Sequence, residues 1–270
     1  MIANVLSIAG SDPSGGAGIQ ADLKAFSALG AYGMAVITAL TAQNTQGVRS
    51  FQAVEPNFVA EQIDAVFADV RVDAVKIGMV ATAEIAAAVA DRLRHHAGRN
   101  VVVDPVMVAK SGHHLLREDA VAALRDTLVP MARVITPNLP EAGVLLGADA
   151  PATLAEMRHA VRELHRLGSE WVLLKGGHLA GVHSTDLLFD GKEVTELRAP
   201  RIDTRNTHGT GCTSSSAIAA LLPRFEMVEA VSRAKAYLTG AIMASDQLTV
   251  GSGHGPVHHF HAFWTGDAAP

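Results

Sequence analysis

The chain has a single cysteine, Cys212. That excludes an internal disulfide and fits a reducing compartment. Aromatic residues are scarce at 4%, while alanine is abundant, which suits helices packed closely on a sheet. There is no basic run, and the net charge is -5, so nucleic acid is not expected as the main partner. No apolar run approaches the roughly 18 residues that span a bilayer. The opening MIANVLSIAGSD lacks the basic flank and long apolar core of a signal peptide. A soluble cytoplasmic protein is the expectation, with no membrane partner. Internal repeats, low-complexity segments and linkers are also missing, so residues 1–270 are expected to form one domain.

What is present is a chain that is 49% hydrophobic and 18% charged, enough to build a large core. Its pattern alternates strands and helices. Ile2–Ala9 is apolar and β-capable, runs into the glycine-rich turn Gly10–Gly18, and is followed by the helical spacing Ile19, Leu23, Phe26, Leu29. Ala35–Leu40 predicts a second strand and Pro56–Asp69 a helix with Phe58, Ile63, Val66 and Phe67 on one side. Ala74–Ile77 predicts a strand, and Thr82–His96 a helix capped by Thr82. Val101–Val103 is continuously apolar, as for a strand covered on both faces, and Asp104-Pro105 ends it. Val106–His114 reads as loop, Arg117–Leu128 as helix, Val134–Thr136 as strand, Leu154–Leu167 as helix and Trp171–Leu174 as strand. Two weaker strands, near Asp186–Phe189 and Val194–Leu197, flank the turn Asp190-Gly191. A helix from about Gly209 and a long one near Met227–Gln247 close the chain. The predicted class is α/β, a mostly parallel sheet with helices on both faces.

The stretch Asp203–Leu222, DTRNTHGTGCTSSSAIAALL, carries the clearest chemical signal. A turn enters Gly209-Thr210-Gly211-Cys212 and becomes a helix there. The first turn of a helix has unpaired N–H groups and a partial positive charge, which suit an anion, and the glycines allow close approach. A thiol at that place is expected to have a lowered pKa and to act as base or nucleophile. The alternative is that Cys212 is a small buried residue in a glycine-rich helix start. The turn is not GxGxxG, and Gly10–Gly16 is not a Walker A loop, because Gly16 stands where the lysine belongs. Gly10, Gln43, Gly78, Asp104, Asn138 and Lys175 each fall just beyond the C-terminal end of a predicted strand. In open α/β sheets ligands bind at that edge.

Together the pieces IAGSDPSGGAGIQADLKAFSALGAYG, TALTAQNTQGV, KIGM, DPVMVAKSG, TPNLPEA, LLKGGH, NTHGTGCTSSSAIAA and GPVHHFHAFW resemble the hydroxymethylpyrimidine/phosphomethylpyrimidine kinases of the ribokinase-like superfamily, from about Ile8 to Trp264. The resemblance implies an α/β/α sandwich without a separate lid domain, a homodimer, and an ATP-dependent kinase of thiamine biosynthesis. Such an enzyme phosphorylates 4-amino-5-hydroxymethyl-2-methylpyrimidine and then its monophosphate.

The resemblance places the transferring phosphoryl group over Gly209, Thr210, Gly211 and Cys212. It makes Cys212 the candidate base for the substrate hydroxyl. It assigns Asp104 and Glu141 to Mg²⁺, which keeps several waters and needs few protein ligands; Glu141 alternatively caps the helix after Pro140. Lys175, with Asn138 and Thr210, is assigned to ATP, where the residue alone reads as a surface lysine. Gln43 presents an acceptor beside two donors, complementary to the amino group and ring nitrogen of an aminopyrimidine. Gly10, Asp22 and Met79 are assigned to the same pocket, with an exposed helix position the alternative for Asp22. The histidines at 254, 258, 259 and 261 have no cysteine or acidic partner at ligand spacing and are not taken as a metal site. A pyridoxal kinase and a non-catalytic pyrimidine-binding module are the rival readings.

Overall fold

The structure, a computed structural model, describes residues 1–107 and 118–264. The end of the expected loop up to His114 and the expected helix start at Arg117 lie outside the described residues. The strands are β1 (Asn4–Ser11), β2 (Tyr32–Asn44), β3 (Gly47–Ala53), β4 (Ala74–Ile77), β5 (Val101–Val103), β6 (Val134–Ile135), β7 (Trp171–Leu174), β8 (His183–Phe189) and β9 (Val194–Pro200). They form one sheet in the order β3-β2-β1-β4-β5-β6-β7-β8-β9. The six from β2 to β7 run parallel, and β3, β8 and β9 join as antiparallel edges. This is the expected α/β/α arrangement. The chain leaves β1 toward β2 on one side and returns to β4 on the other, so a topological switch point lies between β1 and β4.

The helices are α1 (Gly18–Ala28), α2 (Pro56–Asp69), α3 (Ala83–His95), α4 (Glu118–Ala123), α5 (Leu139–Leu146), α6 (Leu154–His165), α7 (Thr210–Leu221) and α8 (Met227–Met243). Helices α2 to α6 bury Val59, Ile63, Ile85, Leu145 and Val161 against one face of the sheet. Helices α1, α7 and α8 bury Phe26, Ile218 and Val231 against the other. Helix α3 starts at Thr82, whose side chain accepts from the Ile85 N–H, as its sequence predicts.

Three expectations are corrected. The second strand runs four residues past Leu40 and turns at Thr45-Gln46 into β3, so Gln43 sits on β2, paired with Val48. Strand β3 (GVRSFQA) is exposed along most of its length and lacks the apolar run that marks the central strands. Phe58 is exposed, and Val59 is buried in its place on the inner side of α2. The helix expected to Leu128 keeps α geometry only to Ala123, then widens into a π turn over Leu124–Leu128 and a 3₁₀ turn over Val129–Met131.

The face under α1 and α7 changes character along the strands. Val5, Ala74, Val102 and Val134 lie in the apolar layer. Two residues further along each strand, on the same face by the period of two, stand Ser7, Lys76, Asp104 and Thr136, all buried. Lys76 and Asp22 of α1 are both fully buried and pair at 2.8 Å. Asp22 also accepts hydroxyl bonds from Ser7 of β1 at 2.5 Å and Ser216 of α7 at 2.6 Å. One carboxylate therefore ties β1, β4, α1 and α7 together at the C-terminal edge of the sheet.

Candidate active site

Above that tie lies a cleft of about 760 Å³, open along the C-terminal ends of β1, β4, β5 and β7. The start of α7 forms one wall. Gly209 precedes the helix with φ +76°, and a side chain there would strike the Gly16 carbonyl oxygen at 1.8 Å, so only glycine fits. Thr213 N–H donates back to the Gly209 carbonyl. Among the described residues, the N–H groups of Gly211 and Cys212 meet no backbone acceptor, and both residues line the cleft. These are the unpaired donors of a helix start.

The run after the turn looks too polar for a buried helix, yet Thr213, Ser214, Ser215 and Ser216 are all buried. The hydroxyls explain this. Ser216 donates to Asp22, Ser215 to Asp104 at 3.3 Å, and Thr213 bonds His259 Nε2 at 3.0 Å. Burial holds His259 neutral, down at about 3. The histidine-rich tail thus docks on α7, a role with no signal in its sequence.

Beside the turn, a methyl placed on Gly211 would stand 3.4 Å from Lys175 Nζ and 3.6 Å from Asp104 Oδ2. Lys175 pairs with Asp104 Oδ1 at 2.9 Å inside the cleft, which overturns the surface-lysine reading. Burial lowers the Lys175 pKa, but Asp104 and Glu141 more than reverse this, so it stays charged. Burial likewise raises Asp104, and Lys175, Lys76 and the Thr136 hydroxyl hold it below the usual carboxylate range. Glu141 is the opposite case. Burial and the nearby Asp104 push it up to about 7, against the pull of Lys175 and Asn138.

Asn138 and Glu141 form a capping box for α5: Glu141 N–H donates to Asn138 Oδ1 at 2.9 Å, and Asn138 N–H to Glu141 Oε2 at 2.8 Å. Glu141 is therefore a cap and a cleft residue at once. Among the described residues, no group of three or more His, Cys, Asp or Glu side chains gathers as a full metal shell. Two carboxylates, Asp104 and Glu141, lining one cleft still fit a hard dication that keeps most of its water.

Two sequence expectations fail here. Asp22 is neither exposed nor a lining residue: Lys76, Ser7 and Ser216 fill its acceptor positions. Lys76, which lines the cleft floor, takes the place expected of it. Cys212 does not have a lowered pKa. Burial, with Asp22 and Asp104 adding to it, raises the thiol to about 11, although Lys76 and the Gly18 N–H pull the other way. The helix start is outweighed by desolvation and two carboxylates.

Gln43, Met79 and Gly10 also line the cleft. A side chain at Gly10 would press on Met79 sulfur at 3.2 Å. The Gln43 carboxamide lies between two polar neighbours, with Oε1 3.3 Å from Thr41 Oγ1 and Nε2 3.3 Å from His208 Nε2. His208 Nε2 also bonds Asp12 Oδ2 at 2.8 Å. Neither Asp12 nor His208 was picked out by spacing or composition.

A turn of unpaired N–H groups beside a lysine–carboxylate pair, at the switch point of such a sheet, defines a small-molecule phosphotransferase of ribokinase-like architecture. The family profile "Phosphomethylpyrimidine kinase" matches residues 12–258, and the chain belongs to that family. It is 57% identical over 262 residues to the hydroxymethylpyrimidine/phosphomethylpyrimidine kinase of Salmonella typhimurium, covering 97% of this chain and 98% of that protein. A thiamine biosynthesis bifunctional protein of Geobacter sulfurreducens is 53% identical over 260 residues, which cover 96% of this chain and 52% of that one. Among solved structures, Bacillus subtilis pyridoxal kinase in its ADP complex superposes with a TM-score of 0.89 at 36% identity, covering 97% and 99% of the two chains. The phosphomethylpyrimidine kinase of Clostridium difficile does so at 0.79 and 44% identity, covering 89% and 99%.

The raised thiol has a direct consequence. Alkylation of the single cysteine by iodoacetamide should accelerate about tenfold per pH unit from about pH 8 to about pH 10, because only the thiolate reacts. A rate that levels off by about pH 9 contradicts the burial of charge around Cys212.

Proposed function

We propose that the chain is an ATP-dependent kinase that converts 4-amino-5-hydroxymethyl-2-methylpyrimidine to its monophosphate and then its diphosphate for thiamine biosynthesis. The observation that carries the reading is one cleft lined by two chemically distinct sets of groups. One is a carboxamide, and the other is unpaired N–H groups with Lys175, Asp104 and Glu141. The relatives' names agree with it. The high structural similarity to a pyridoxal kinase supports a second reading, phosphorylation of pyridoxal-type alcohols. The carboxamide favours the pyrimidine, whose amino group and ring nitrogen it matches edge to edge.

In this reading Gln43 binds the pyrimidine edge, and Met79 and Gly10 shape the space beside it. Lys175, Asn138 and Thr210 hold ATP phosphates. The N–H groups of Gly211 and Cys212 neutralise charge on the transferring group, within the Gly209–Cys212 turn. A thiol at about 11 is protonated at neutral pH, so Cys212 serves as part of this cradle and not as a preformed thiolate base. In a loose transition state the bond to the leaving ADP oxygen breaks while the attacking hydroxyl forms little bond, and its proton passes late to an oxygen of the transferred phosphoryl group. Asp104 and Glu141 would hold Mg²⁺, which would offset the charge of the phosphates.

The whole chain acts as one catalytic unit, supported by its continuous nine-stranded sheet. A homodimer is supported by the exposed Tyr32, Leu40 and Phe51 on the β2–β3 edge. Among the described residues no helix is long and apolar enough to cross a membrane. The lone thiol supports a reducing, cytoplasmic setting.

The functional assay supplies ATP, Mg²⁺ and the hydroxymethylpyrimidine and resolves the products by chromatography. Monophosphate should appear first and diphosphate after it. Turnover of pyridoxal with none of the pyrimidine would reverse the order of the two readings.

The metal assignment has its own signature. Glu141 must be ionised to ligate, and its carboxyl sits at about 7. The Mg²⁺ concentration giving half-maximal rate should therefore rise about fivefold as pH falls from about 7 to about 6. Glu141→Gln should raise that concentration at neutral pH and flatten its pH dependence. The same slope in the variant and the parent removes Glu141 from the metal shell.

A further inference from the structure

The contacts around Gln43 decide a question that its residue type leaves open. A carboxamide turns its oxygen and nitrogen into each other's places by a flip of the side chain, so its neighbours determine which end is which. Asp12 is a fixed carboxylate. Its Oδ1 accepts from the Ser14 N–H and hydroxyl, and its Oδ2 from the N–H groups of Gly16 and Ala17 at 3.1 and 2.8 Å. Burial acts to raise its pKa, but the bonds from His208 and Ser14 hold it below the ordinary value, so it is ionised. An ionised carboxylate accepts and cannot donate. The 2.8 Å contact with His208 Nε2 therefore requires a proton on that nitrogen. A protonated Nε2 has no lone pair left, so it cannot accept from an amide NH₂ placed 3.3 Å away, whereas an amide oxygen there can share its proton with Asp12. The end beside His208 must therefore be the oxygen, the two amide ends exchanging the places given above.

Thr41 gives the same answer from the other side. Its one hydroxyl proton is committed to the Ser11 carbonyl at 2.8 Å. Toward Gln43, 3.3 Å away, it offers only a lone pair, so the end of the amide facing it must be the NH₂. The two flanks are independent and agree.

We propose that His208, held by Asp12, acts with Thr41 to lock the Gln43 carboxamide in a single orientation, leaving an acceptor on the His208 side and a donor on the Thr41 side facing the cleft. His208, Asp12 and Thr41 are positioning residues for substrate selection, and the inference rests on the aminopyrimidine reading given above. In this orientation the amino group of the pyrimidine lies toward His208 and the ring nitrogen toward Thr41. A 4-oxo analogue carries the reverse pattern, an N–H in the ring and an acceptor outside it. It pairs only with the flipped amide, which both flanks oppose. Discrimination between a 4-amino and a 4-oxo ring thus depends on residues outside the pair that touches it.

The test compares kcat/KM for the 4-amino substrate and its 4-oxo analogue in the parent and in His208→Ala, Thr41→Val and Gln43→Leu. An unmatched buried polar pair is strongly rejected, so the parent should prefer the 4-amino ring by about a hundredfold or more. In His208→Ala the preference should fall about tenfold or more, with kcat/KM for the 4-oxo analogue rising in absolute terms and the KM for ATP changing less than about twofold. Thr41→Val should act in the same direction, and it decides the matter if His208→Ala fails to fold. A soluble variant that loses both activities in equal proportion, with its preference intact, overturns the lock and leaves a structural role. Gln43→Leu separates the two levels. If it leaves KM for the 4-amino substrate unchanged, the aminopyrimidine reading of Gln43 fails. If it raises that KM while the flanking variants keep the parent's preference, only the lock fails.

Discussion

The Lys76–Asp22 pair has no contact with solvent, and a charge pair so placed is held only by geometry. Removing either partner leaves the other stranded, at a cost of about 3–5 kcal/mol. An apolar pair of the same volume fills such a position without that penalty, so the pair is weak evidence for stability as such. Its structural effect is clearer. Lys76 comes from β4, Asp22 from α1, and the two serines on Asp22 from β1 and α7. The start of α7 cannot shift relative to the switch point without breaking a bond to a buried charge. The direction of the unpaired N–H groups in the cleft follows from that anchorage.

The same charges set the chemistry above them. Three carboxylates, Asp22, Asp104 and Glu141, face two ammonium groups, Lys76 and Lys175. Asp22 and Asp104 each have a lysine in contact, whereas Glu141 has a backbone N–H and a distant share of Lys175. Glu141 is the carboxylate whose ionisation is left uncompensated, which is why it rises to about 7. A dication placed there would complete the balance, and phosphates would then meet a site of net positive charge. Cys212, partly exposed in the cleft, lies within the same field and is raised by it, so a thiol beside a helix start stays neutral here.

Much of the fold was legible in local composition. Ala74–Ile77, Val101–Val103 and Trp171–Leu174 are short apolar runs bounded by glycine, proline or polar residues, and each is a strand with the expected ends. Strand β3 was not legible, because an exposed edge strand need not be apolar. The expectation that the Gly209–Cys212 turn, Asp104 and Lys175 belong to one site followed from motifs and strand ends, and the Lys175–Asp104 pairing itself came only from the structure. The Lys76–Asp22 pair left traces that were not used: a lysine inside an otherwise apolar strand, and an acid spaced three from Ile19 and four from Phe26 on the inner side of a helix. Which acid meets which lysine depends on sheet order, and these two residues are 54 apart in sequence. Asp12 and His208 are 196 apart and meet only because Gly209 packs on the Gly16 carbonyl. Burial, the quantity that decided Cys212, is a property of the packed chain and has no local pattern.

The central claim is that the anion cradle of α7 and the carboxamide of Gln43 receive two ends of one reaction. A crystal structure with a non-hydrolysable ATP analogue, Mg²⁺ and the hydroxymethylpyrimidine tests it most directly. The account places γ-phosphate oxygens about 3 Å from the N–H groups of Gly211 and Cys212, with the pyrimidine edge on Gln43 and its hydroxymethyl group pointing at the phosphorus. A γ-phosphate bound away from that turn, or a pyrimidine turned with its amino edge away from Gln43, contradicts it.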